Sequence, residues 1–154
     1  MGVYFTLGNL HPAVRSRIDT LQLVVICKEK YLKEVGADVV FKPLVDDLHF
    51  LETVGVDVGN EIGVVKGALV SILGDNLGSH FIGGFVESFS GSGHFCRFCM
   101  VTNEELANGQ HSAARLETRT PERYENALRQ LSALERLSVE GIKAESAFTV
   151  KSRV

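Results

Sequence analysis

Three features of the chain predict an α/β fold: short apolar, β-branched runs spaced along its first half, a segment of helical period between the second and third runs, and turn residues closing the runs. The 154 residues carry 45% hydrophobic and 23% charged side chains, the mix of an ordinary soluble globular domain. With 16 Lys and Arg against 19 Asp and Glu, the formal net charge is −3, which disfavours a nucleic-acid binder held mainly by a basic field.

The first run, residues 3–7 (Val-Tyr-Phe-Thr-Leu), leads into Gly8-Asn9-Leu10-His11-Pro12 and reads as a strand entering a loop. Met1-Gly2 with Thr6 fits the myristoylation pattern formally, but Val3, Tyr4 and Phe5 read better as a buried strand. Residues 21–27 are almost continuously apolar, the pattern of a central strand covered on both faces, so a sandwiched sheet is expected. Between residues 28 and 51, Leu32, Val35, Val40, Leu44, Leu48 and Leu51 recur at helical spacing around a break at Gly36, giving a short helix and a longer one. Asp38 is the expected N-cap of the second, with Pro43 in its first turn or kinking it.

A third strand is expected over residues 64–73, ending at Gly74-Asp75-Asn76. Small residues alternating with Ile82, Phe85 and Val86 then suggest a helix over 77–89, weakened by Gly83-Gly84. Thr120-Pro121 opens a last helix with Tyr124, Leu128, Leu131 and Leu134 on one face, and residues 141–154 show no period. No apolar run reaches the ~18 residues of a membrane span. The opening residues lack the order of a signal peptide, so an intracellular protein is expected.

Two places can carry chemistry. Asp75 follows an apolar strand, where open α/β sheets put ligands and metals, yet Gly-Asp-Asn is also turn chemistry and an Asp there caps the next helix. Cys96-Arg97-Phe98-Cys99 has the spacer that lets two thiolates of one turn grip a tetrahedral ion. A closed zinc site wants four ligands, and no second Cys-x-x-Cys or His pair is present; His94 is a candidate third, His80 or His111 a fourth. A redox dithiol and a pair of plain buried thiols are the competing readings. Cys27, inside an apolar run, reads as a small core residue, and Asp46-Asp47 as a solvated helix face. Nucleophile triads, phosphate-binding loops and dinucleotide fingerprints are absent.

Taken together, residues 3–10, 21–24, 74–80 and 95–99 resemble vertebrate transposon-derived proteins of the CACTA/Chapaev-like group of cut-and-paste DNA transposases, whose cores are similar to that of the V(D)J recombinase. The resemblance covers about residues 2 to 148 and is most specific between Gly74 and Cys99, where an acidic residue precedes Cys-x-x-Cys by about twenty positions. It implies a partial RNase H-like mixed sheet with covering helices over residues 1–90, and over 91–154 the front half of a zinc-containing helical insertion that includes the amphipathic helix. In that family two aspartates and a glutamate hold two Mg2+ or Mn2+ ions for in-line attack on a DNA phosphate. Asp75 would be the second aspartate, and Cys96 and Cys99 two of four ligands of a structural zinc.

The first aspartate, the glutamate and the zinc-binding histidines have no counterpart here, so the resemblance implies a chain inactive alone that acts on DNA only within a longer product. Rival readings are a zinc-binding remnant that contacts DNA or protein, by pairing with a full-length transposase or with itself, and a relic without activity. Membranes and small-molecule substrates are not expected as partners. Nuclear residence follows from the family, with no Lys/Arg cluster to support it.

Overall fold

The computed structural model describes residues 1–59, 61–89, 93–109 and 116–149. The fold is mixed α/β, with two small antiparallel sheets and six α-helices among the described residues. Two units divide the chain, Met1–Ile72 and Leu73–Val154, so Asp75 and the cysteine turn belong to the same one.

In the first unit, β1 (Gly2–Phe5) pairs antiparallel with β2 (Gln22–Ile26). Backbone bonds between Met1 and Cys27 in both directions lengthen the ladder. The connection holds a short helix, α1 (Pro12–Arg15), whose first turn is capped by His11 Nδ1 accepting from the Ala13 amide, and a 3-10 turn at Ile18–Thr20. The Thr20 hydroxyl closes this connection by donating to the carbonyls of Val14 and Arg17, both at 2.8 Å. The expected sandwich is not seen: Leu23 is 55% and Ile26 77% exposed. With only each other to pair with, the two strands form a hairpin whose faces the described chain leaves partly open. Cys27, read as a core residue, is half-buried, with its thiol donating to the Lys28 carbonyl at 3.4 Å.

The two helices appear as expected, α2 (Glu29–Val35) and α3 (Ala37–Thr53), and supply the buried Leu32 and Phe41. Gly36, not Asp38, takes the cap position, because the sharp change of direction between the helices needs its φ of +90°. Pro43 lies inside α3; the carbonyl its ring leaves without a donor belongs to Val39, which is exposed and open to water. Asp46 pairs with Lys42 on the exposed face, in keeping with a solvated Asp46-Asp47.

Of the third expected strand only β4 (Val64–Val65) forms, paired with β3 (Val56–Asp57). The next two residues turn to the end of α3: Lys66 Nζ donates to the Thr53 carbonyl at 2.6 Å and the Gly67 amide to Leu51. These donors satisfy carbonyls that a helix C-terminus leaves open. Residues 66–73 are in no ladder, and Val70 and Leu73 are almost fully exposed.

The second unit opens with α4 (Asn76–Ile82), shorter than the expected helix over 77–89 because the chain turns at Gly83-Gly84. Gly84 has φ +72°, and a Cβ there would meet the Ala144 carbonyl oxygen at 2.0 Å. Its own carbonyl accepts from the amides of Lys143 and Ala144, so the tail read as featureless is bonded to this turn. A capped helical turn, α5 (Asn103–Ala107), precedes α6 (Pro121–Leu134), which starts as expected with Thr120 accepting from the Arg123 amide and Pro121 in first position. Ala127, Val139 and Ile142 form the core, with Phe85, Tyr124, Leu128 and Leu131 packed against it. Leu134, at the end of the helix, stays 52% exposed and departs from the expected face. Among the described residues no helix is long and apolar enough to cross a membrane.

Gly84→Ala is therefore expected to destabilise the protein by at least about 2 kcal/mol, from the left-handed backbone and the clash together. Gly93→Ala, where no atom lies within 4 Å of an added Cβ, is the control. Denaturant midpoints compare the two, and equal midpoints would refute the close approach at Gly84.

Candidate metal centre

Residues 93–102 turn back on themselves: His94 bridges Thr102 antiparallel, and the Asn103 amide donates to the Gly93 carbonyl at 3.2 Å. At the tip sit Cys96, Arg97, Phe98 and Cys99. The return limb is fastened to residues 117–119, with the Met100 amide donating to Glu117 and the Arg119 amide to Phe98, both at 2.9 Å. Met100 and Val101 behind the turn are buried, which fixes the position of the loop. A capping box then starts α5, with Thr102 and Glu105 exchanging side-chain and backbone bonds.

The turn carries two half-buried free thiols. The Phe98 amide points at Cys96 Sγ at 3.4 Å. Burial pushes the Cys96 thiol up, but the amides of Phe98 and Cys99, the Cys99 thiol and the Arg119 guanidinium outweigh it and hold Cys96 below the ordinary thiol range. For Cys99 burial is the largest influence, and with Cys96 beside it the thiol is raised. Charge on the pair therefore settles first on Cys96, where donors already point.

Arg119 is the strut of this arrangement. Its Nε donates to the Cys96 carbonyl at 2.8 Å and Nη2 to the Glu140 carbonyl at 2.5 Å, while the guanidinium lies over the Phe85 ring. Nη1 is the one buried side-chain N or O atom without a hydrogen-bond partner among the described residues. Burial lowers the Arg119 pKa, opposed by Glu140 and Cys96; an arginine stays charged regardless. Glu140 and Gly141, both left-handed, make the tight turn between Val139 and Ile142. The Glu140 carboxylate receives Arg123 through Nε at 2.9 Å and Nη2 at 3.0 Å, and Arg123 also pairs with Glu117. Gly141 leaves room for the His94 carbonyl, which would touch a Cβ there at 2.0 Å.

Asp75 is exposed at the head of α4, its Oδ1 accepting the Gly78 amide at 2.6 Å, so it caps the helix. The neighbouring Asn76 accepts from Arg97 Nη1 at 3.0 Å, which ties the Asp75 turn to the cysteine turn. Among the described residues, no group of three His, Cys, Asp or Glu side chains is gathered as a metal site. His94 and His80 thus do not complete a cluster with the two cysteines. His80 is 2% exposed and its Nδ1 donates to the Val86 carbonyl at 2.7 Å between the rings of Phe85 and Phe89. His111 lies outside the described residues.

The chemistry of the donor set would suit a thiophilic ion, for which Cys96 and Cys99 would be the two ligands on this turn. A carboxylate centre for two hard ions does not fit Asp75 and its described neighbours alone. Sequence reasoning missed Arg119, Arg123 and Glu140, which act across some twenty residues and leave no local pattern. The capping box at Thr102-Asn103-Glu104-Glu105 was readable as a Thr-x-x-Glu signal.

Arg123, foremost by its hydrogen bond, holds the Glu140 carboxyl below the usual carboxylate range. A depressed folded pKa gives stability that is fully present above the unfolded value of about 4.3 and is lost as pH falls through the folded value. Glu140→Gln is expected to lower stability near neutrality by on the order of 1 kcal/mol, given the partial exposure of the pair, and to flatten the acid limb below about pH 4.5. Stability-against-pH curves of the two proteins test this; superimposable curves would contradict it.

Compared with protein-family models, with curated proteins and with solved structures, the chain matches none, so the chemistry of the site is argued from its own residues.

Proposed function

We propose that this chain derives from the catalytic core of a DDE-type DNA transposase of the CACTA/Chapaev-like group, with Asp75 one carboxylate of a Mg2+- or Mn2+-dependent cleavage and strand-transfer centre and Cys96 and Cys99 half of a structural zinc site. The observation that carries this reading is the bond from Arg97 to Asn76, which couples the turn behind Asp75 to the cysteine turn inside one unit. An acidic residue after an apolar run and a thiol pair about twenty residues on are the sequence features behind the resemblance. The contact supports their working as one assembly.

In this reading β1 and β2 are antiparallel strands of an RNase H-like sheet, and residues 66–73, which are in no ladder, are the segment that leads to Asp75. The exposed apolar side chains of β2 and of residues 69–73 are then surfaces that further sheet partners cover. Two-metal chemistry takes three carboxylates to fix both ions. Asp75 is accordingly one contributor, and DNA cleavage awaits carboxylates from a longer product or a full-length partner. DNA is the substrate class and the nucleus the place of action.

A second reading, a zinc-binding DNA- or protein-interaction module, is favoured by one specific feature: the amide-bonded thiol turn is built without any help from Asp75. Elemental mass spectrometry of monodisperse protein purified without chelator tests the zinc half of both readings. About one zinc per chain is expected, lost in Cys96→Ser and in Cys99→Ser and retained in Asp75→Asn; no zinc in the wild type would overturn it. For Asp75, added Mn2+ is expected to broaden the NMR signal of the Gly78 amide in the wild type and not in Asp75→Asn. Broadening that persists in the variant would remove Asp75 from metal binding.

A further inference from the structure

We propose that this chain self-associates through its first unit by strand exchange: residues 67–72 of one copy add as a third strand along the free edge of β1 in a second copy, and the second copy returns the same contact. This stands apart from the transposase and zinc readings and uses no residue of the candidate metal centre.

Three observations carry it. First, among the described residues β1 pairs with β2 alone, so its other edge presents backbone groups that no strand takes up. Val24 is an extra residue in β2, between Leu23 opposite Tyr4 and Val25 opposite Val3. A bulge bends the strand that holds it, which leaves β1 the more regular edge for an added strand. Second, residues 67–72 (Gly-Ala-Leu-Val-Ser-Ile) have the composition of a strand and hold neither charge nor proline, yet they are in no ladder and all but Gly67 are exposed. An apolar extended run of this kind is what an open sheet edge accepts. Third, edge and run do not pair within one chain: the root of the run is tied to the end of α3 through Lys66 and Gly67, and β1 has β2 as its partner. The added strand therefore comes from outside the chain, and a second copy carries it.

Charge and area fit a second copy as the occupant. Gly2–Phe5 and residues 67–72 are both free of charge, so pairing them buries no ion on either side. On β1, Tyr4 is 58% and Phe5 49% exposed; on the run, Leu69, Val70 and Ile72 are 47%, 91% and 41% exposed. Over two copies the surface these five side chains leave to water comes to roughly 1,000 Å², close to the ~1,200 Å² at which specific interfaces begin, before the strand backbones are added. A one-way exchange leaves one edge and one run over and continues into an open chain of molecules. The reciprocal exchange about a two-fold axis uses both and closes as a dimer.

The test is the mass of the full chain in solution, by sedimentation equilibrium over about 1 to 100 μM, with amide hydrogen exchange followed at both ends of that range. A monomer–dimer equilibrium is expected, with slower exchange in residues 2–5 and 68–72 in the dimer than in the monomer. Val70→Pro bars the run from a ladder, and Val70→Lys puts a charge on it. Val70 is exposed and unpaired in the single chain, so both variants are expected to keep the wild-type circular dichroism while the dimer Kd rises by about tenfold or more. A wild-type chain that stays monomeric across the range, a dimer that either variant leaves unchanged, or association that runs past the dimer would overturn the proposal. None of these outcomes bears on zinc content or Mn2+ binding, so its failure and the failure of the functional reading are told apart.

Discussion

The second unit hangs on the pairing of Arg119 and Arg123 with Glu140. One guanidinium reaches the carbonyls of Cys96 and Glu140, the other grips the Glu140 carboxylate by two parallel bonds, and between them they join three segments far apart in sequence. Bidentate arginine–carboxylate pairs fix both distance and orientation, which a lysine cannot do. Glu140 adopts a left-handed backbone that costs a non-glycine residue on the order of 1 kcal/mol or more. The two arginines are what hold it there. Take them away and the Glu140-Gly141 turn, the buried Ile142 behind it and the His94 carbonyl seated over Gly141 all lose their reference point.

That brace also explains why the cysteine turn has chemical character. A Cys-x-x-Cys segment on a loose loop is two ordinary thiols. Here the loop is fastened at 93–103 and again at 98–119, an amide is aimed at its first sulfur and a guanidinium holds the carbonyl of the same residue. The electrostatic work of stabilising a thiolate is done in advance by groups held in place by the fold, which is the condition for metal binding. Among the described residues, Nη1 of Arg119 is a buried donor without a hydrogen-bond partner, a cost the rest of the brace offsets.

How much of this could be read from the residues alone varied with the range of the interaction. Thr120-Pro121 placed the start of α6, and Gly36 the break between α2 and α3, because caps and breaks are decided within a few residues. The paired strands were found, but their setting was not: continuous apolarity at 21–27 reports a preference for burial, and burial needs a partner that the sequence segment cannot supply. Residues 66–73 show the same limit, since their first donors go to the end of α3 instead of to a ladder. At the site, the thiol spacing and the turn role of Asp75 were legible, the latter as the capping alternative. The strut was not, because Arg119 and Glu140 meet across twenty residues that include a whole helix, and no local pattern marks the pair.

The central claim is that the 96–99 turn is a two-thiolate grip for a soft divalent ion. X-ray absorption at the zinc edge of the zinc-loaded protein tests it most directly. The account predicts a first shell with two sulfur neighbours at about 2.3 Å and nitrogen or oxygen ligands in the remaining positions. A shell of nitrogen and oxygen only would contradict it.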